Sequence, residues 1–210
     1  MEVFRVVDGA IQENCYVLAR AEKNAALVDP GDDAQRIAQA VEEQGLTVKQ
    51  IWLTHGHFDH IGAVKELAQK YGAKVYASKL EEKLLGSSQL NRAGFRYGDD
   101  QRFQVVADHW LEDGDTLKLD ELEAKVIATP GHSAGSVCFL CGDVMFSGDT
   151  LFAGDIGRCD LYSGSYPTML QSLEKLKKLE VNYHVLPGHG PASTLEKEKE
   201  RNPYMTGEAL

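Results

Sequence analysis

Residues 53–62 read LTHGHFDHIG, and they place three histidines and one aspartate within the six positions from His55 to His60. Imidazole and carboxylate donors together suit zinc, iron or manganese. The cluster follows a strand-like run, VKQIWLT, and precedes a helix-like one. Alternate residues of an extended segment point the same way, so His55 and His57 can serve one centre. Asp59 and His60 then project from a first helical turn toward a neighbouring centre. Three further donors stand in turn-like settings: His132 in TPGHSAGS, Asp149 in FSGDT and His189 in LPGHGP. Each follows small or turn residues that let a side chain reach inward. Together these seven donors exceed the needs of one tetrahedral ion and suit two ions sharing a carboxylate. His109 and His184 lack such settings and read as structural or surface residues.

The elements that must position these donors are legible in outline. EVFRVV, NCYVLA and AALVDP read as a meander of strands, separated by turns at Asp8-Gly9 and Glu22-Lys23-Asn24. Asp32 with Gln35 predicts a capping box for a helix carrying Ile37, Ala38 and Val41, stopped at Gly45. A second helix is expected from about Asp59 to Lys70, with Val64, Leu67, Ala68 and Tyr71 on one face and Gly72 at its end. AKVYA reads as a strand. Ser78 with Glu81 and Ser193 with Glu196 predict two more capping boxes. Residues 86–104 are irregular and polar, a surface excursion or lid. Beyond them DTLKL, LEAKVIAT, SVCFL and DVMFS read as strands, YPTMLQSLEKLKKLE as an amphipathic helix, and NYHVLPGHG as a strand ending in a histidine turn. A last helix should end before Asn202-Pro203. Strands with helices, twice over, predict a layered α/β fold of two sheets face to face with helices outside.

Composition narrows the class. The 210 residues are 43% hydrophobic and 26% charged, as in ordinary globular proteins. A net charge of −10 makes nucleic acid a poor partner. No apolar run approaches the roughly 20 residues that span a bilayer, and the start shows no signal-peptide pattern. Reduced thiols and a cytoplasmic location are therefore expected. The C-x-x-C of Cys138 and Cys141 lies inside a strand-like run, so it reads as core packing rather than a redox pair. Nothing in the sequence marks an oligomeric state.

THGHFDH resembles the T-H-x-H-x-D-H signature of the metallo-β-lactamase superfamily, and TPGHSAGS, FSGDTLF and LPGHGP resemble its remaining metal motifs in order. The resemblance spans nearly the whole chain. It implies an αββα sandwich, one domain over 1–210, with a dinuclear site at one edge of the sheets. By motif position His55, His57 and His132 resemble the ligands of a first metal, and Asp59, His60 and His189 those of a second. Asp149 resembles the bridge, and Asp29, in VDPG, a residue supporting the ligands from behind.

Within the superfamily, the aspartate of FSGDT argues against the antibiotic-degrading enzymes, and GDTLF with GHGP resembles the glyoxalase II (hydroxyacylglutathione hydrolase) branch. The tail GHGPASTLEKEKERNPYM is similar to a small bacterial subgroup of that branch, and since the chain stops soon after RNPYM, no separate C-terminal glutathione-binding segment is expected. This implies two divalent ions, zinc foremost with iron or manganese acceptable, and hydrolysis of a small-molecule thioester of the S-lactoylglutathione type by a metal-bridging hydroxide. Asp59 would help orient that hydroxide. Arg158, shortly after GDTLF, falls where the branch holds a glutathione carboxylate. Asp160 stands where an aromatic is typical, with Tyr162 displaced by two residues. The alternative is a persulfide dioxygenase of the same superfamily, with one iron held by two histidines and an aspartate.

Overall fold

The computed structural model describes residues 1–20 and 23–209, so Glu22 of the expected second turn lies outside the described residues. The first sheet contains β1 (Glu2–Asp8), β2 (Glu13–Ala19), β3 (Asn24–Val28), β4 (Thr47–Trp52), β5 (Lys74–Ser78) and β6 (His109–Leu111), side by side in that order. β1 to β3 form the predicted antiparallel meander, and β3 to β6 run parallel. The second sheet is built from β7 (Thr116–Leu119), β8 (Leu122–Ala128), β9 (Val137–Cys141) and β10 (Val144–Gly148). A two-stranded ribbon, β11 (Leu151–Phe152) with β12 (Asp155–Ile156), follows it. β13 (His184–Pro187) then pairs parallel to β10 and carries the edge strand β14 (Ser193–Thr194).

Three apolar layers hold this arrangement together. Between the sheets, Tyr16, Leu18, Val28 and Trp52 meet Leu117, Leu119, Phe139 and Phe146. Trp52 and Phe139 lie 5.7 Å apart between ring centroids, and Tyr16 and Phe146 5.5 Å. Outside the first sheet pack α1 (Ala34–Glu43), α2 (Phe58–Ile61) and α3 (Val64–Tyr71), through Ile37, Val41, Ile61, Val64 and Leu67. Leu85 of the short α4 (Glu82–Leu85) and Tyr97 of α5 (Gly94–Tyr97) join the same apolar cluster. Outside the second sheet pack α6 (Tyr166–Lys177), α7 (Leu195–Arg201) and α8 (Pro203–Thr206), through Met169, Leu173, Leu176, Leu195 and Met205. The result is the αββα sandwich. Cys138 packs on the outer face of β9 and Cys141 on its inner face, so the C-x-x-C residues face opposite layers and both are free. His109 stacks on Tyr76, and His184 lies exposed near Asp143.

Several local expectations fail for tertiary reasons. The helix expected over 59–70 is two helices broken at Gly62-Ala63. There the Ala63 N–H donates to the Pro30 carbonyl, and a Cβ on Gly62 would lie 2.4 Å from the Gly31 carbonyl oxygen. None of the three capping boxes forms. Asp33, not Asp32, caps α1 and accepts from the Arg36 N–H; Asp8 occupies the Asp32 and Asp33 N–H groups. Thr194 caps α7, because Ser193 donates to the buried Glu198 carboxylate instead. Ser78 does cap its short turn, but Glu81 turns away to other donors. Asn202, expected only to follow the last helix, caps α8 with Pro203 in its first turn.

Residues 86–104 are irregular apart from α5 and a 3-10 turn at Gln101–Phe103, which the sequence reading did not expect, and they are pinned. Asn91, Ala93 and Phe103 are buried. The Asn91 amide donates to the Phe103 carbonyl, and its carbonyl accepts from the Phe58 N–H.

Candidate metal centre

All seven predicted donors converge at one edge of the sandwich: five on loops that leave strands β4, β8, β10 and β13, and Asp59 and His60 in α2. His55, His57 and His132 form one buried group, and Asp59, His60 and His189 form another; within each, the donor atoms lie within 4.8 Å of one another. In the first group His132 Nε2 is 2.8 Å from His57 Nδ1 and 3.2 Å from His55 Nε2. In the second, His189 Nε2 is 3.1 Å and His60 Nε2 3.6 Å from Asp59 Oδ2. Asp149 lies between them. Its Oδ2 is 3.6 Å from His132 and 3.8 Å from His189, and its Oδ1 is 3.4 Å from His60.

The donor set fits cations. His57 Nε2, His60 Nε2 and Asp149 Oδ1 are buried with no hydrogen-bond partner. Orphaned buried polar atoms are costly, and His60 Nε2 and Asp149 Oδ1, 3.4 Å apart where the two donor groups meet, point to a ligand that satisfies them. Asp29, His55 and His60 also come within 4.8 Å as a third group. Asp29, however, already accepts from the Thr54 N–H at 2.8 Å, the Thr54 hydroxyl at 2.6 Å and His60 Nδ1 at 3.1 Å. It is therefore better placed to orient His60 than to bind an ion.

Electrostatics separate the two groups. Burial, then the neighbouring histidines, holds His55 well below the ordinary imidazole range. Burial and His132 likewise depress His57 to about 3. These rings are neutral and offer lone pairs. Burial opposes a charge on His60, yet Asp59 and Asp149 outweigh it and push its pKa up to about 10. Burial also opposes ionisation of Asp59, but His60 and His189 hold its carboxyl below the usual range.

The backbone explains why the donors sit where they do. His57 Cα is extended (φ −70°, ψ 152°) and begins α2, so the chain turns from strand to helix inside the motif. A Cβ on Gly188 would lie 2.4 Å from Asp149 Oδ1 and 2.6 Å from His60 Cε1, so only glycine leaves room before His189. His132 Nδ1 contacts the Arg158 carbonyl at 2.7 Å, which turns Nε2 toward the other donors.

Two important residues escaped the sequence reading. Glu81 is 1% exposed, and its two carboxylate oxygens accept the Gly56 and Gly135 N–H groups, each at 2.8 Å. It thereby ties the loop bearing His55 and His57 to the loop bearing His132. Asn14, also buried, donates to the Pro187 and Gly190 carbonyls at 2.9 Å, so it fixes the turn that carries His189. The only signal for either was a polar residue inside an element that proves buried.

The donors open into a cavity of about 300 Å³ lined by Ile11, Phe58, Arg92, Arg158 and Leu161 besides His57, Asp59, His132, Asp149 and His189. Arg158 is on its wall but holds Asp160 through hydrogen bonds of 2.7 and 2.8 Å. Tyr162 is exposed and off the wall; its neighbour Leu161 lines the cavity instead. A larger hollow of about 660 Å³ lies within residues 86–104 and contains none of the donors.

The family model described as the metallo-beta-lactamase superfamily matches residues 8–189. The chain belongs to that superfamily. It is 37% identical over 204 residues to the hydroxyacylglutathione hydrolase GloC of Haemophilus influenzae, covering 95% of this chain and 96% of that protein. It is 39% identical over 209 residues to the probable metallo-hydrolase YqgX of Bacillus subtilis, covering 98% of each. Among solved structures, the BLEG-1 B3 metallo-beta-lactamase superposes with a TM-score of 0.92 at 37% identity, over 98% of this chain and all (100%) of that one. TTHA1623 in a di-iron-bound form gives 0.85 at 36%, over 96% and 99%. ETHE1 from Myxococcus xanthus gives 0.82 at 28%, over 99% and 85%. These likenesses make the chain a metallo-hydrolase of the superfamily. No helix among the described residues is long and apolar enough to cross a membrane.

Proposed function

We propose that the chain hydrolyses thioesters of the S-acylglutathione type, using two divalent ions held by His55, His57, His132, Asp59, His60 and His189 and shared through Asp149. The position of Asp149, with one carboxylate oxygen within 3.8 Å of a histidine from each group, carries this reading. When bound, such ions lower the pKa of a coordinated water and polarise an acyl carbonyl. The chain's own residues then hold the geometry. Asp59, kept ionised and half turned to the cavity, is placed to accept a proton from water at the centre. Glu81 and Asp29 fix the ligand loops, and Phe58, Ile11 and Leu161 present apolar surface to the acyl group. The four free cysteines accord with a cytoplasmic setting. Zinc is the ion we favour; the likeness to a di-iron-bound protein makes iron the first alternative.

The reading is tested by kcat/KM on S-D-lactoylglutathione with protein of known metal content. A value above roughly 10⁴ M⁻¹s⁻¹ with about two ions per chain supports it. A value orders of magnitude lower, with both ions present, rejects it. The likeness to ETHE1 favours a second reading, an iron-dependent persulfide dioxygenase, which oxygen uptake with glutathione persulfide would reveal. A chromogenic cephalosporin in the same series checks β-lactam cleavage, the activity that the name of the BLEG-1 metallo-beta-lactamase denotes.

A further inference from the structure

Two arginines line the cavity, and they are not equivalent. Arg158 has its guanidinium engaged by Asp160 on two hydrogen bonds, and its side chain is 61% exposed. An incoming carboxylate would have to displace Asp160 to reach it. Arg92 lies over the Phe95 ring, 4.3 Å from guanidinium carbon to centroid; its charge is felt by Asp160, but among the described residues it forms no ion pair within 4 Å. Stacking leaves the edge of a guanidinium, with its fork of N–H groups, free to bind a carboxylate bidentately.

The backbone at Arg92 is unusual as well. Its φ is +75°, in the left-handed region that non-glycine residues rarely adopt. The neighbours hold it there. Asn91 is fully buried, donates from its amide to the Phe103 carbonyl at 2.7 Å and accepts from the Ala93 N–H at 3.0 Å. Its backbone carbonyl accepts from the Phe58 N–H, one residue before Asp59. Ala93 is buried on the other side. A strained residue that its surroundings over-determine points to function at that residue. Here the strain aims a free cation into the cavity at a fixed offset from the metal-binding turn.

The geometry points to Arg92 as the carboxylate anchor of the substrate: the segment 86–104 supplies, from inside this fold, the charged contact that selects an acyl thioester of a carboxylate-bearing thiol. This rests on the thioesterase reading above. The net charge of −10 strengthens the case, since an anionic substrate needs a local cation to overcome the repulsion of the whole chain.

The test uses metal-loaded wild type, Arg92→Ala and Arg92→Lys, each checked for melting temperature and metal content. Two substrates are compared, S-D-lactoylglutathione and the uncharged S-lactoyl-N-acetylcysteamine. Loss of a charged hydrogen bond should raise KM for the glutathione ester by about ten- to a hundredfold in Arg92→Ala. The rise should be far smaller for the uncharged ester, kcat should change less than KM, and Arg92→Lys should recover part of the loss. Equal changes on both substrates, or none on the glutathione ester, overturn the assignment. If wild type cleaves neither ester, the thioesterase reading falls, and calorimetric binding of glutathione decides the anchor separately. Weaker binding by Arg92→Ala than by wild type then supports it; equal binding, or no binding to wild type, overturns it.

Discussion

The two donor groups solve the same problem with different materials. The first, His55, His57 and His132, is all imidazole and 1–3% exposed, and burial depresses the basicity of His55 and His57. It is clamped through the backbone by Glu81. The second mixes Asp59 with His60 and His189, whose side chain is 26% exposed, and it is steadied by Asp29 through a side chain. A buried neutral group needs its loops fixed, because no charge draws the rings together. A charged group attracts its own members and needs only the orientation of one ring. The first group should therefore depend on a distant positioning residue more than the second does.

Removing the shared carboxylate tests both at once. Asp149→Asn should lower kcat/KM by at least about 10³-fold and leave fewer than two ions bound, since the amide cannot bridge two cations. Steady-state kinetics alongside metal analysis would show it; near-normal turnover with two ions would end the shared-carboxylate reading. Glu81→Gln comes next. An amide keeps one acceptor and loses the other, so either Gly56 or Gly135 is left with a buried unpaired N–H, at about 1–3 kcal/mol in stability. Affinity for one ion should fall about 10–100-fold while the other holds, which is the usual cost of losing a ligand's supporting partner. Chelator competition and a melting curve read both, and equal weakening of the two ions would dissolve the contrast.

Asp29→Asn should act on the second group. Its amide has one acceptor oxygen, so its NH2 must face either the Thr54 N–H or the Thr54 hydroxyl and His60, which the two carboxylate oxygens accept from together. A loss toward the lower end of that range, about tenfold, is expected at the second ion alone. Cobalt-substituted protein, titrated optically, would assign the change to a site. The smallest effect concerns release. Under EDTA the ion near half-buried His189 should leave before the ion among His55, His57 and His132; stopped-flow spectra showing both leaving together, or the buried one first, would contradict the ordering by exposure.

Much of this centre was legible beforehand because its signals are local. The seven donors sit in turns that glycine and proline announce, and the strands and long helices announce themselves by periods of two and 3.6. The sandwich followed from the element order. What failed was also local in form but tertiary in cause. The capping boxes were plausible until Glu81 found Gly56 and Gly135 in place of its own helix, and until Asp8 claimed the Asp32 N–H. The helix over 59–70 broke because Gly62 must pass against Gly31.

The sequence by itself thus determined which atoms could bind cations, in what order, and on which kinds of element. Only the tertiary structure decided how those atoms are grouped and held. Asp59 meets His189 across 130 positions, and Glu81 meets Gly135 across 54. Asn14 reaches Pro187 across 173. No period or spacing encodes such pairs. A buried donor or acceptor takes whichever partner packing brings within reach, and that choice is made by the closing of two sheets on one core. The same closing puts Arg92 on the cavity wall with no ion pair among the described residues, while Arg158 on that wall is already engaged by Asp160.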